Sequence, residues 1–167
     1  IIGFGRYGKE MLKALTWFCQ YPKFNLVIDV FDSDKNAEDY YKFHFPALAE
    51  RSGNFFAGED NYTINFHSGI NINSPKFNEK FNSIKAPTYV FVCLGTDEDN
   101  INAAINVRSL CKKRGLDNEC VDIETVVYNS NSATLMSCVW EADKIPAPMY
   151  ESKDQAKEAM AAKEKSD

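Results

Sequence analysis

The chain opens IIGFGRYGKE, with Gly3, Gly5 and Gly8 in the spacing G-x-G-x-x-G. No other feature constrains the fold as much. Glycines so placed suit a tight turn at the end of a strand, a close approach of backbone to a pyrophosphate, and close packing of the following helix on the sheet. The surroundings are those the motif requires. After Gly8, the residues Met11, Leu12, Leu15, Phe18 and Cys19 recur at i, i+1, i+4, i+7 and i+8, one apolar stripe on a helix. Pro22 stops that helix, and residues 26–31 then form a mostly apolar run that ends in acidic residues. Strand, glycine turn, helix, strand is a βαβ unit. Only Ile1 and Ile2 precede Gly3, whereas a strand needs about five residues, so the expectation is a piece of a longer protein.

The alternation continues downstream. Residues 35–60 carry many aromatics without a clean period and are divided by Pro46, which suits one or two short helices and a loop. In NYTINFHSGININ, Tyr62, Ile64 and Phe66 alternate with polar positions, an edge-strand pattern. Ser74 is placed to cap a helix with Pro75 at its first position and Phe77, Phe81 and Ile84 on one face. TYVFVCLG reads as a strand covered on both faces. It runs into a helix with Thr96 or Asp97 as cap, acids at its start, Lys112, Lys113 and Arg114 at its end, and Gly115 as terminator. CVDIETVVYN is a fifth strand, and SATLMSCVWEADKI has the pattern of one more helix with Leu135, Cys138 and Val139 facing the sheet. The expected fold class is α/β: a doubly wound, mainly parallel, Rossmann-like sheet with helices on both faces, over residues 1–144. Residues 145–167 are expected to be a Pro-containing linker and an Ala/Glu/Lys-rich helical tail.

Composition narrows the function. A formal net charge of −5 without a basic stripe argues against nucleic acid, because Lys and Arg supply most of that affinity. An anionic cofactor must therefore be held by backbone amides. No apolar run approaches the roughly 20 residues of a membrane span, so no membrane insertion is expected. Five scattered cysteines without a C-x-x-C pair read as reduced thiols and imply a cytoplasmic setting, with Cys93 and Cys111 as buried structural residues. His44 and His67 show no metal-ligand spacing.

Three elements carry the chemistry. The glycine turn offers the free N–H groups and partial positive charge of a helix start to phosphates. An acid at the end of the second expected strand should bond ribose hydroxyls. Asp29, Asp32 and Asp34 compete, and Asp32 is favoured because it follows the apolar run, whereas Asp29 lies inside it. An acid there favours NAD(H) over NADP(H). Finally, Gly95 and Thr96 follow the fourth expected strand, where the ligand crevice of such a sheet lies.

The motifs GFGRYG, VFDSD, GININSPKF and YVFVCLGTDEDN occur in the order found in TrkA-N domains, the RCK or KTN regulators of potassium transport, which residues 1–130 resemble. The matching positions are Gly3, Gly5, Arg6, Gly8, Asp32, Asp97, Glu98 and Asn100. The chain differs in its longer stretch between the second and third strands, and in Ile70 and Asn71 after Gly69 where the family has an acid. The resemblance implies a regulatory or sensor module that binds NAD(H), with ATP or AMP as alternative ligands. It also implies contact with other domains of a longer chain and pairing as a homodimer. The cofactor-binding residues are then Gly3, Gly5, Arg6, Tyr7, Gly8, Asp32, Ser33, Asp34, Asn71, Gly95, Thr96 and Asp97. The competing reading is the cofactor-binding fragment of an NAD-dependent dehydrogenase. That reading needs a proton-transfer group beside the nicotinamide, and no Tyr here has a Lys four positions later. A methyltransferase would also use a glycine turn and a strand-end acid, but GTDEDN matches no substrate motif of that class.

Overall fold

The computed structural model describes residues 1–19, 24–52, 61–116 and 121–129, and Ile1–Tyr128 forms one compact unit. The expectations for residues 130–167, including the last helix, the boundary at 144 and the tail, lie outside the described residues. The unit is a mixed α/β structure. Its strands are β1 (Asn25–Asp32), β2 (Asn61–Ser68), β3 (Tyr89–Val92) and β4 (Asp122–Thr125). Its helices are α1 (Arg6–Phe18), α2 (Ala37–His44), α3 (Pro46–Arg51), α4 (Pro75–Ser83) and α5 (Asp97–Lys113). β1 pairs in parallel with β2, and β3 with β4.

Residues 1–3 join the two pairs. Ile2 bridges Phe31 on one side and Val92 on the other, both in parallel. The ladder alternates as a parallel one must: Phe31 N donates to Ile1 O and Gly3 N to Phe31 O, while Ile2 N donates to Phe91 O and Cys93 N to Ile2 O.

The alternation of side chains along β1 then fixes which helix meets which face. Ile28 and Val30 pack with Phe4, Leu12, Ala37 and Tyr41, contributed by the glycine turn, α1 and α2, and α3 adds Leu48 and Ala49 at the margin. Phe31 points the other way and meets Phe77 and Phe81 of α4 at ring-centroid distances of 5.2 and 6.3 Å. α5 adjoins α4: Arg114 donates to Phe81 O and Ile84 O, and Asn106 to Asn78 Oδ1.

Several local expectations agree with the structure. Pro46 opens α3, Ser74 Oγ accepts from Phe77 N at the start of α4, and Gly115 takes a φ of +74° just after α5. α1 differs from its expected stripe. It begins at Arg6, inside the glycine motif, and its buried row is Gly8, Leu12 and Thr16, whereas Phe18 is 81% exposed. Two residues beyond Thr16 turn about 200° around the axis, which carries Phe18 to the opposite side. Phe31, at 3% exposure, packs between Ile2 and the α4 rings of Phe77 and Phe81. Phe31→Ala should cost about 3–5 kcal/mol, read as a lower midpoint in urea unfolding with little change in slope.

Candidate functional site

Gly3, Gly5 and Gly8 do three different things. Gly3 has φ +96°, and a Cβ there would stand 2.5 Å from the Cys93 carbonyl oxygen. Gly8 faces it from the first turn of α1, where a Cβ would come within 2.0 Å of the Gly3 carbonyl oxygen. Both positions exclude any side chain, and the helix is thereby drawn onto the central segment. Gly5 is different: its φ is −70°, and a Cβ there would meet nothing within 4 Å. It is the N-cap of α1, with no side-chain cap and no acid in the first turn. The N–H groups of Arg6, Tyr7 and Gly8 therefore begin a helix that supplies them no acceptor.

Asp32 is tied to this turn. One carboxylate oxygen accepts from Phe4 N at 2.5 Å and the other from Asp34 N at 2.7 Å. A carboxylate offers about four lone-pair directions, so two such bonds leave capacity for a ligand. Asp32 also borders a cavity of about 270 Å³ at the carboxyl ends of the strands, with Ser33, Asn71 and Gly95 on its wall. Ile70, Ile72 and Leu94 supply the apolar lining, and Asn73 and Asp99 add polar groups. The loop after β2 is fastened over the end of β1, since Gly69 N donates to Asp34 O and Ile70 N to Asp32 O.

The structure thus gathers Asp32, Ser33, Asn71 and Gly95 at one cavity and Gly3, Gly5 and Gly8 at the adjoining turn. The other residues expected at the site take further roles. Asp34 Oδ1 accepts from Asn36 N. Thr96 caps α5, accepting from Asp99 N and donating to Asp99 Oδ2. Asp97 Oδ1 accepts from Tyr128 N, and Tyr7, beside Arg6 on exposed helix surface, packs against the Tyr128 ring at 5.8 Å. Asp29, the other candidate acid, is engaged by His67 Nε2 at 2.7 Å and sits on the α4 face, away from the cavity.

Asn100 has a role that spacing alone did not reveal. Fully buried, it accepts from Leu94 N and donates to Val126 O, stapling the turn after β3 to the chain after β4. Its signal was a polar residue at the inward position of an amphipathic helix. Cys93 is also structural: its Sγ–H points at Gly3 O, 3.1 Å away, and burial pushes its thiol up to about 12. A thiol so placed remains protonated at neutral pH and is no nucleophile.

These contacts separate folding from binding within one motif. Gly8→Ala should cost about 1–3 kcal/mol or more by forcing helix and turn apart, whereas Gly5→Ala should cost no more than about 1 kcal/mol, the weaker N-cap being partly offset by a stiffer unfolded chain. Thermal unfolding of the two variants checks the contrast. No family model, curated protein or solved structure matches this chain.

Proposed function

We propose that the chain is a nucleotide-binding module favouring NAD(H) that regulates or senses for a larger intracellular protein, in the manner of the TrkA-N domains it resembles. Its scaffold is a doubly wound, Rossmann-like sheet. Taking residues 1–3 as a first strand, the hydrogen bonds run β2, β1, first strand, β3, β4, which supports the order 3-2-1-4-5 of mononucleotide-binding sheets. The observation that carries the reading is the contrast inside the glycine turn. Gly3 and Gly8 are locked by packing, while Gly5 opens an uncapped, acid-free helix start beside a carboxylate bonded to the same turn.

The chain's groups divide the ligand between them. The amides of Arg6 and Tyr7, with the Arg6 guanidinium, receive the pyrophosphate at the positive end of α1. Asp32 accepts from the ribose hydroxyls, and the Ile70, Ile72 and Leu94 wall covers the apolar faces of the nucleoside. The carboxylate repels a 2′-phosphate, which favours NAD(H) over NADP(H). The recipient of the signal is an attached domain or a second copy, and occupancy acts on it only through differential affinity for two conformations.

Calorimetric titration with NAD⁺, NADH, NADP⁺, ATP, AMP and S-adenosylmethionine tests the proposal. NAD⁺ or NADH should bind, with NADP⁺ at least about tenfold weaker. Gly5→Asp should weaken NADH by about tenfold or more while the fold keeps or gains a few tenths of a kcal/mol, since Asp caps a helix better than Gly. Asp32→Asn should lose about 10- to 100-fold, the worth of a hydrogen bond to a charged group. Tight binding of S-adenosylmethionine alone would overturn the proposal, and turnover of a 2-hydroxy acid or aldehyde by this chain would replace the sensor with the dehydrogenase.

A further inference from the structure

Two aromatic side chains from opposite ends of the folded unit meet in the open beside the start of α1. Tyr7 is 44% exposed and Tyr128 is 54% exposed, and their rings lie 5.8 Å apart between centroids, inclined at 55°. Rings that touch at such an angle and stay half open keep faces that a third ring can cover. Both are held in place through the backbone. Tyr7 is in the first turn of α1, next to Gly8, which is locked against Gly3. Tyr128 follows the end of β4, and its N–H donates to Asp97 Oδ1 at 2.8 Å. Just before it, Val126 N donates to Val92 O and Val126 O accepts from Asn100 Nδ2, each at 2.9 Å.

The position of the pair along the crevice is set by the strand order. Asp32 ends β1, the central segment leaves through the glycine turn, Gly95 follows β3, and Tyr128 lies beyond β4. From β1 to β4 is three strand spacings, about 14 Å in all. With one ribose on Asp32 and the pyrophosphate on the amides of Arg6 and Tyr7, a mononucleotide ends at α1. Only the second nucleoside of a dinucleotide carries on to the tyrosines.

The charge around the pair is opposite to that at α1. The first turn of α5, which holds Tyr128 through Asp97, also carries Glu98 and the exposed Asp99, whereas α1 has no acid in its first turn. Electron-rich ring faces beside carboxylates suit a planar cation, and an acid-free helix start suits an anion. NAD⁺ carries both charges, an anionic pyrophosphate and a cationic pyridinium. NADH carries the same pyrophosphate and a neutral dihydropyridine.

We propose, on the NAD(H) reading above, that Tyr7 and Tyr128 receive the nicotinamide ring and make the module select the oxidised form of the dinucleotide. The adenosine and pyrophosphate contacts are common to both redox forms and contribute affinity without discrimination. Discrimination comes from the tyrosine faces and the acids behind Tyr128, which attract the pyridinium and gain nothing from the reduced ring. The selection is one of binding alone, with no hydride gained or lost on this chain.

The test is calorimetric titration of the full chain with NAD⁺, NADH and ADP-ribose, which lacks the nicotinamide. NAD⁺ should bind about fivefold or more tighter than NADH, two ring faces each contributing a few-fold. Tyr128→Leu should bring that ratio to within about twofold of one, and Tyr7→Leu should lower it in the same direction, while Tyr128→Phe, which keeps the ring, should preserve it. Thermal unfolding of each variant confirms that it is folded. The outcomes separate this proposal from the reading beneath it. If ADP-ribose binds and Asp32→Asn weakens it, the nucleotide site stands; equal affinities for NAD⁺ and NADH, or a ratio untouched by Tyr128→Leu or abolished by Tyr128→Phe, then overturn the tyrosine subsite alone. Failure of all three ligands to bind overturns both.

Discussion

The short ladder through residues 1–3 is the interaction on which the rest depends. Without the bonds of Ile1, Ile2 and Gly3 to Phe31, Phe91 and Cys93, the described residues would hold two separate parallel pairs with nothing between them. With those bonds, the ends of β1, the central segment and β3 lie level with one another. Everything at the site is then a consequence of how each chain leaves that level. The central segment leaves through the left-handed Gly3 into α1, β1 leaves through Asp32 into the turn before α2, and β3 leaves through Gly95 into α5. Cys93 packs beneath, with its thiol against Gly3 O, and marks how little space the crossing allows.

Two helices start at this level, and their charges differ. The first turn of α5 holds Asp97, Glu98 and Asp99, and Thr96 caps it, so its free amides and partial positive charge are already answered by the chain. α1 has no acid in its first turn, no capping side chain, and Arg6 as its first helical residue. An anion arriving at the crevice meets repulsion at α5 and attraction at α1. Of the two helix starts, α1 is therefore the more electropositive, although the whole chain carries a net charge of −5.

Much of this was legible in the sequence because it is local. The glycine spacing, the caps Ser74 and Thr96, the terminator Gly115 and the place of Asp32 at a strand end all rest on residues within one turn or one strand of each other. What stayed hidden depends on lateral neighbours. Asp29 looks like any acid inside an apolar run until β2 brings His67 beside it in register. Asp34, Thr96 and Asp97, expected at the ligand because they stand at strand ends, also hold backbone or side-chain groups of the adjoining turns, which only the folded neighbours reveal. Phe18 fits a helical stripe, but which part of the stripe is buried depends on where the sheet ends.

Asp32 carries the heaviest constraint of all. Its two oxygens hold Phe4 N of the glycine turn and Asp34 N of the turn before α2, and its own carbonyl accepts from Ile70 N of the loop after β2. Three segments that belong to three different crossovers therefore meet at one residue. A ribose bonded to that carboxylate, as the proposed function has it, would share it with the two amides. Electron density drawn toward the hydroxyls is withdrawn from the bonds that set the turns. Under the proposed function, this shared acceptor is where a bound ligand would touch the turns that set the fold. A further donor would meet the same carboxylate oxygens that hold the Phe4 and Asp34 amides, while the Ile70 amide, on the backbone carbonyl, would keep its own acceptor.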